Sequence, residues 1–339
     1  MSKPIPEGGI PPVPPEERLR AFAGRYRGSV DAAARERFRA RCEELGLRLE
    51  DDELTVFAAL DTPAKVQEFL NTELYYNDDH ASVDQEETAR PPRLVLRTGA
   101  AHCFEGAMFA YAVNHLHGHD PRLVMLEASQ DADHNLVVCR DAATGLFGAN
   151  AQSRYPGLVG RPAEYPTIRA LAESYVPFYY SDRTLDPTDL TLVGFSEPVD
   201  LVAKFGTGWI ASTEPLWDIY YTYIDDTVRF SYFFDDPGRP HLYPAVRALE
   251  ENWIRLDAAG EPFVSLDDLP LGAREVWDEF WKIYDQDRDG PRPRGKAKKI
   301  EQQFFQLTGT TPIDLDDNAF DLQFYLAAGY RLDQLIGQR

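Results

Sequence analysis

Apolar residues recur with two different periods along this chain, and the change from one to the other outlines its elements. Spacing of three to four residues marks helices, and alternation or short apolar runs mark strands. From Pro15 to about Leu49 the charged, alanine-rich text that begins Glu16-Glu17-Arg18-Leu19 predicts one or two helices with sparse apolar faces. Asp61-Thr62-Pro63 supplies a capping side chain and a first-turn proline. It predicts a helix carrying Val66, Phe69 and Leu70 on one face and ending near Asn71. Asn77 to Pro92 is polar and acidic and reads as a surface loop. Arg93 to Arg97 reads as a short extended lead-in, broken at Gly99. Next comes a helix opening at Cys103, with Phe104, Ala107, Met108, Tyr111, Ala112 and His115 on one buried face and Gly118 as its stop.

Strands follow at Leu123–Glu127, His134–Arg140 and Leu146–Asn150, the last two joined by the turn Asp141–Gly145. If Arg140 faces Leu146, His134 lies opposite Gln152 and diagonal to Asn150, with even-numbered side chains on one face. A bulge in the turn would break that parity. Tyr155 to Tyr165 is punctuated by Gly and Pro and reads as a loop, and Pro166 opens a helix running to about Val176. Leu190–Gly194 reads as a strand, while Leu216–Tyr221 fits either period. Further helices are expected near Leu242–Arg255, Ala273–Tyr284, Lys296–Leu307 and Ala319–Ile336. The pattern is that of an α+β protein: a Pro-rich arm over residues 1–14, a main domain over 15–235, and a helical region over 236–339. That last region is either a second domain or a shell on the first.

Composition narrows the class. The 339 residues are 43% hydrophobic and 12% aromatic, enough for a folded core. A formal charge of −21 argues against nucleic acid and anionic membranes as partners, since both require clustered Lys and Arg. No apolar run approaches the ~20 residues of a membrane span. The opening text, MSKPIPEGGIPPVPPEERLR, lacks the apolar stretch of a signal peptide. Cys42, Cys103 and Cys139 have neither disulfide nor metal spacing, which points to a reducing compartment. The expectation is a cytoplasmic protein.

The chemistry gathers at Gly99–Gly118. A cysteine that opens a helix sits where backbone N–H groups have no partner, and the positive end of the helix favours the thiolate. A histidine then heads the strand that begins Asp133-His134-Asn135. A nucleophile needs a base for its proton and a polar group to fix the tautomer of that base. The candidates are Cys103 as nucleophile, His134 as base and Asn150 as the third member, with Gln152 or Ser153 as alternatives at that place. Glu105 reads as a first-turn carboxylate complementing the helix dipole.

Gly99, Cys103, His134 and Asn150 resemble the transglutaminase-like branch of the papain-like cysteine fold. Thr62-Pro63 through Phe69-Leu70-Asn71, Cys103-Phe104-Glu105-Gly106-Ala107, Phe147-Gly148-Ala149 and Tyr165-Pro166-Thr167-Ile168 extend the likeness over roughly residues 60 to 235, to uncharacterised bacterial proteins of that kind. Two residues depart from the pattern: Asn150 stands where Asp is usual, and Phe147 where Trp is common. The resemblance implies a papain-like core and an acyl-thioester intermediate on Cys103. Substrates would be small-molecule or peptide amides or thioesters, handled as a peptidase, amidase or acyltransferase. No cofactor is implied, and a protein partner is left unspecified. The alternative is a catalytically silent member of the fold, a scaffold or binding module, in which Trp209–Phe234 lines a groove rather than core.

Two metal-like patterns weigh little. His115-Leu116-His117-Gly118-His119-Asp120 alternates histidines, but on the last turn of a helix, where they cannot converge. Asp285-Gln286-Asp287-Arg288-Asp289-Gly290 begins like a calcium loop, yet Lys296 occupies the place of the anchoring Glu. No metal is expected.

Overall fold

The computed structural model describes residues 13–77, 87–128, 132–180, 190–225, 228–233, 272–284, 295–308 and 312. The expected helices at Leu242–Arg255 and Ala319–Ile336, and the calcium-like loop at Asp285–Gly290, lie outside them. The chain divides into two compact units. The first comprises residues 1–127, 133–178 and 194–231; the second comprises 128–132, 179–193 and 232–339.

In the first unit the N-terminal text forms helices α1 (Pro15–Tyr26), α2 (Ala32–Glu44), α3 (Asp51–Ala59) and α4 (Pro63–Thr72). Side chains cap the starts of α2 and α4, the second as the sequence suggests. Asp31 accepts the Ala34 N–H at 2.8 Å, and Thr62 accepts that of Lys65 at 3.3 Å. Arg93–Arg97 departs from expectation, because Pro92–Thr98 is helix α5. Pro92 at its first position starts it, and Gly99 with φ of 65° stops it in the left-handed conformation. An apolar run that short fits a strand or a helix equally well, and here the flanking residues decide.

Helix α6 (Cys103–Leu116) runs through the middle of this unit. The sequence showed one apolar stripe, but the structure buries α6 on all sides: every residue from Phe104 to Asn114 is buried, as is Leu116. α2, α4 and α5 pack around it, and the sheet covers the remaining side.

Among the described residues that sheet has six strands in the order β6-β5-β4-β3-β7-β8. They are β3 (Arg122–Ala128), β4 (His134–Arg140), β5 (Phe147–Asn150), β6 (Arg161–Tyr165), β7 (Leu192–Ser196) and β8 (Phe230–Tyr232). The pairs from β3 to β6 are antiparallel. A small parallel pair, β1 (Tyr75–Tyr76) with β2 (Ala100–Ala101), lies outside the sheet and leads into α6. β6 occupies text that reads as a loop. It is an edge strand, where a proline such as Pro162 and a run of partly to fully exposed residues are tolerated. Helix α7 (Ile168–Glu173) packs on β5 and β6. It is shorter than expected and gives way to a 3₁₀ turn at Val176–Phe178.

The hairpin register also departs from expectation. Arg140 pairs with Phe147 and Val137 with Asn150, one residue away from the pairing of Arg140 with Leu146. The turn absorbs the extra residue. Gly145 takes φ of 73°, and the Asp141 carboxylate collects the Ala143 and Thr144 N–H groups.

Helix α8 (Leu201–Phe205) follows β7. The ambiguous aromatic text is helix α9 (Trp217–Asp225), and Trp209, Ile210, Leu216 and Ile219 belong to the core. In the second unit, helices α10 (Ala273–Tyr284) and α11 (Gly295–Thr308) form a hairpin. It closes over Val276, Trp277, Phe280, Ile300 and Phe304, with bounds close to those the sequence suggests.

Candidate active site

The start of α6 is held from behind. His102 is its N-cap in extended conformation, and Glu105 completes a capping box with it. Glu105 is fully buried. Its carboxylate accepts the Arg90 N–H at 2.8 Å and the His102 N–H at 3.2 Å, and it is ion-paired with the Arg90 guanidinium at 3.5 Å. A residue that reads from sequence as a dipole complement therefore ties the segment before α5 to the helix that carries the cysteine. His102 Nδ1 lies 3.3 Å from the Phe104 nitrogen and accepts its N–H only when the ring is neutral, while Nε2 lies 2.6 Å from the Thr88 carbonyl.

Cys103 occupies the first helical position and is partly exposed. Its sulfur lies 4.0 Å from the Asp133 carbonyl and 3.9 Å from Asn135 Nδ2. Burial alone would raise its pKa. Hydrogen bonds from the imidazoles of His102 and His134, and their charge, outweigh burial and hold the thiol well below its ordinary range. The reciprocal effect appears on His102. Burial opposes its charge, yet the Glu105 carboxylate and Cys103 push its pKa up to about 10. The other two cysteines behave as buried hydrophobes. Desolvation raises Cys42 to about 11 and Cys139 to about 12. All three thiols are free.

Tyr220 stands edge-on to Phe104 with ring centroids 5.1 Å apart. Burial, together with the nearby charges of Asp133 and Cys103, raises its pKa, so the phenol keeps its proton. An aromatic wall thus flanks the thiol on the α9 side.

The structure brings Cys103 and His134 together but places Asn150 elsewhere. In the observed register Asn150 opposes Val137, on the face away from the His134 side chain. Its amide accepts from Asn114 Nδ2 at 2.8 Å and donates to the Pro63 carbonyl at 2.8 Å, joining α4, α6 and β5. Gln152 lies on the α6 face, close to Gly106, where a Cβ would come within 2.3 Å of the Gln152 Cβ. Gln152 is fully buried, and among the described residues its amide has no hydrogen-bond partner. The Ser153 hydroxyl accepts the Tyr155 N–H at 3.0 Å. The atom that meets the His134 ring is a main-chain one: His134 Nε2 is 2.8 Å from the Leu158 carbonyl oxygen.

Sequence reasoning missed three groups. His102 was visible as a capping residue three positions before a Glu. Asn135 neighbours His134 on β4 and by alternation points to the opposite face. A carbonyl on a loop leaves no side-chain signal at all. At the histidine-rich end of α6 the rings are engaged elsewhere: His117 and His119, with ring centroids 6.3 Å apart, meet the carbonyls of Phe57 and Asp61, and His115 stacks on Tyr111. Among the described residues no cluster of three or more His, Cys, Asp and Glu side chains is arranged to hold a metal ion. None of the described helices is long and apolar enough to cross a membrane. In comparison with known proteins, no family model and no curated protein matches this chain.

Proposed function

We propose that this protein is a cysteine-nucleophile acyl-transfer enzyme of transglutaminase-like fold, acting on an amide or thioester carbonyl as a peptidase, amidase or acyltransferase. One observation carries the reading. Of three cysteines, the one at a helix start beside two imidazoles is accessible and has a depressed pKa, while the two others are buried and raised. In this reading the Cys103 thiolate attacks the carbonyl carbon and forms the C–S bond. The oxyanion faces the Cys103 backbone N–H, which at the first helical position has no acceptor within the helix. The His134 imidazolium gives its proton to the leaving amine or thiolate as the bond to carbon breaks. A second nucleophile, water or an amine, then surrenders its proton to His134 as it displaces the sulfur. Three free thiols fit a cytoplasmic site of action.

The test is acylation by p-nitrophenyl acetate, read by intact and peptide mass spectrometry. One acetyl group on Cys103 is expected, with a nitrophenol burst equal to enzyme concentration, and Cys103→Ser should abolish both. Acetylation spread over surface lysines with no burst would refute the reading.

A further inference from the structure

We infer that the Leu158 main-chain carbonyl fixes the tautomer of His134, and that Arg161 is a positioning residue holding that carbonyl in place. The inference rests on the proposed role of His134. It begins from a hydrogen bond with only one polarity. A carbonyl oxygen can only accept, so His134 Nε2, 2.8 Å from Leu158 O, must carry the proton. The lone pair of the neutral ring then sits on Nδ1, the nitrogen left to take the thiol proton. No carboxylate or amide side chain contacts the ring in its described hydrogen bonds.

A loop carbonyl fixes an imidazole only if the loop itself is fixed. The carbonyls on either side of Leu158 are both bound by Arg161: Nη2 donates to Gly157 O at 2.6 Å and Nη1 to Val159 O at 2.9 Å. Tyr175 adds its hydroxyl to Val159 O at 3.1 Å. The Arg161 guanidinium lies over the Tyr175 ring, 4.1 Å from the centroid, and Arg161 Nε reaches Ser174 Oγ at 3.3 Å. The same Tyr175 ring meets the edge of His134 at 6.5 Å. Three consecutive carbonyls are therefore all engaged, the outer two by Arg161 and the middle one by the histidine. The planar fork of arginine holds two such carbonyls in a fixed geometry, which the compact ammonium of lysine on its flexible stem does not impose. Gly157 permits the close approach of Phe178, whose Cβ would lie 2.4 Å from a Cβ at that position, and this closes the loop from its other side.

The experiment combines nitrogen-15 spectroscopy of histidine-labelled full-length protein with iodoacetamide alkylation of Cys103 across pH. At alkaline pH, where the ring is neutral, the wild-type His134 signal, assigned by its loss in His134→Ala, should show the Nε2–H tautomer. Arg161→Met and Arg161→Lys should both give a tautomer mixture and slow Cys103 alkylation at low pH by about tenfold. Tyr175→Phe should act in the same direction with smaller size. It keeps the ring and guards against an Arg161 variant that fails to fold. A wild-type Nδ1–H tautomer overturns the inference, as do folded variants with unchanged tautomer and alkylation. If His134→Ala itself leaves Cys103 alkylation unchanged, the nucleophile–base reading fails instead, so the two failures are told apart.

Discussion

A thiol's reactivity follows from its surroundings, and the three cysteines of this chain sit in different ones. Iodoacetamide under native conditions should modify Cys103 alone, with a rate midpoint below the ordinary value of about 8.5, while Cys42 and Cys139 react only after unfolding. Equal labelling of the three by peptide mapping would contradict this. His102 gives a second expectation at the same scale. Its folded-state pKa is raised to about 10, so its charge contributes stability in full below its unfolded pKa of about 6.5 and loses it as pH rises through about 10. His102→Asn keeps a capping side chain and removes the charge. Its melting temperature should lie well below wild type near pH 6, and the gap should narrow toward pH 10. A gap independent of pH would assign His102 to capping alone. Both Cys103 and His134 were legible as residues, because a helix start and a strand start carry sequence signals. The Leu158 carbonyl was not, since any residue can offer one.

At the scale of elements, one residue of hairpin register decides which amide completes which network. Alternation fixed β4 as a strand, but the left-handed Gly145 and the Asp141 turn lie below what spacing resolves, so Asn150 moved to the other face. α5 and β6 were missed for related reasons: short runs are settled by their flanks and by edge position. Because Asn150 bonds Asn114 and Pro63, Asn150→Ala should lower unfolding free energy by about 1–3 kcal/mol in urea titration and leave the Cys103 alkylation midpoint in place. A raised midpoint would return Asn150 to the site. Gly106 tests a second contact of α6 with the same segment, about two turns nearer its start. Gly106→Ala drives a Cβ to 2.3 Å from the Gln152 Cβ and should cost about 1–3 kcal/mol. Adding Gln152→Gly, which removes the opposing Cβ, should recover part of that loss, giving a non-additive cycle. Simple additivity would mean that the two residues do not meet.

Over the whole first unit, a charge cluster gathers around the helix that leads into the site. Glu53 on α3 is fully buried and takes a two-pronged pair from Arg93 on α5, at 2.8 and 3.0 Å. Arg93 also donates to the carbonyls of Arg48 and Ala211, at 2.7 and 2.6 Å. Arg97, one turn further, joins Glu53 and Glu50 and reaches Glu16 on α1. α5 is thus clamped to α1 and α3 by its arginines, and it runs through Gly99 and β2 directly into Cys103. In a chain of net charge −21, cations buried in this way are structural rather than available to an anionic partner. Removing one member of a buried pair strands its partner. Arg93→Met should therefore cost about 3–5 kcal/mol in urea titration, a loss little changed by added salt because the pair is shielded from solvent. Arg25→Met, which removes the solvent-facing partner of Glu73, should cost about 1 kcal/mol or less. Where Arg93→Met still folds, slack in α5 reaches the first turn of α6, so Cys103 alkylation at low pH should slow as well. A destabilised variant with wild-type alkylation would show that α6 is positioned by its own packing and not by the helix that leads into it.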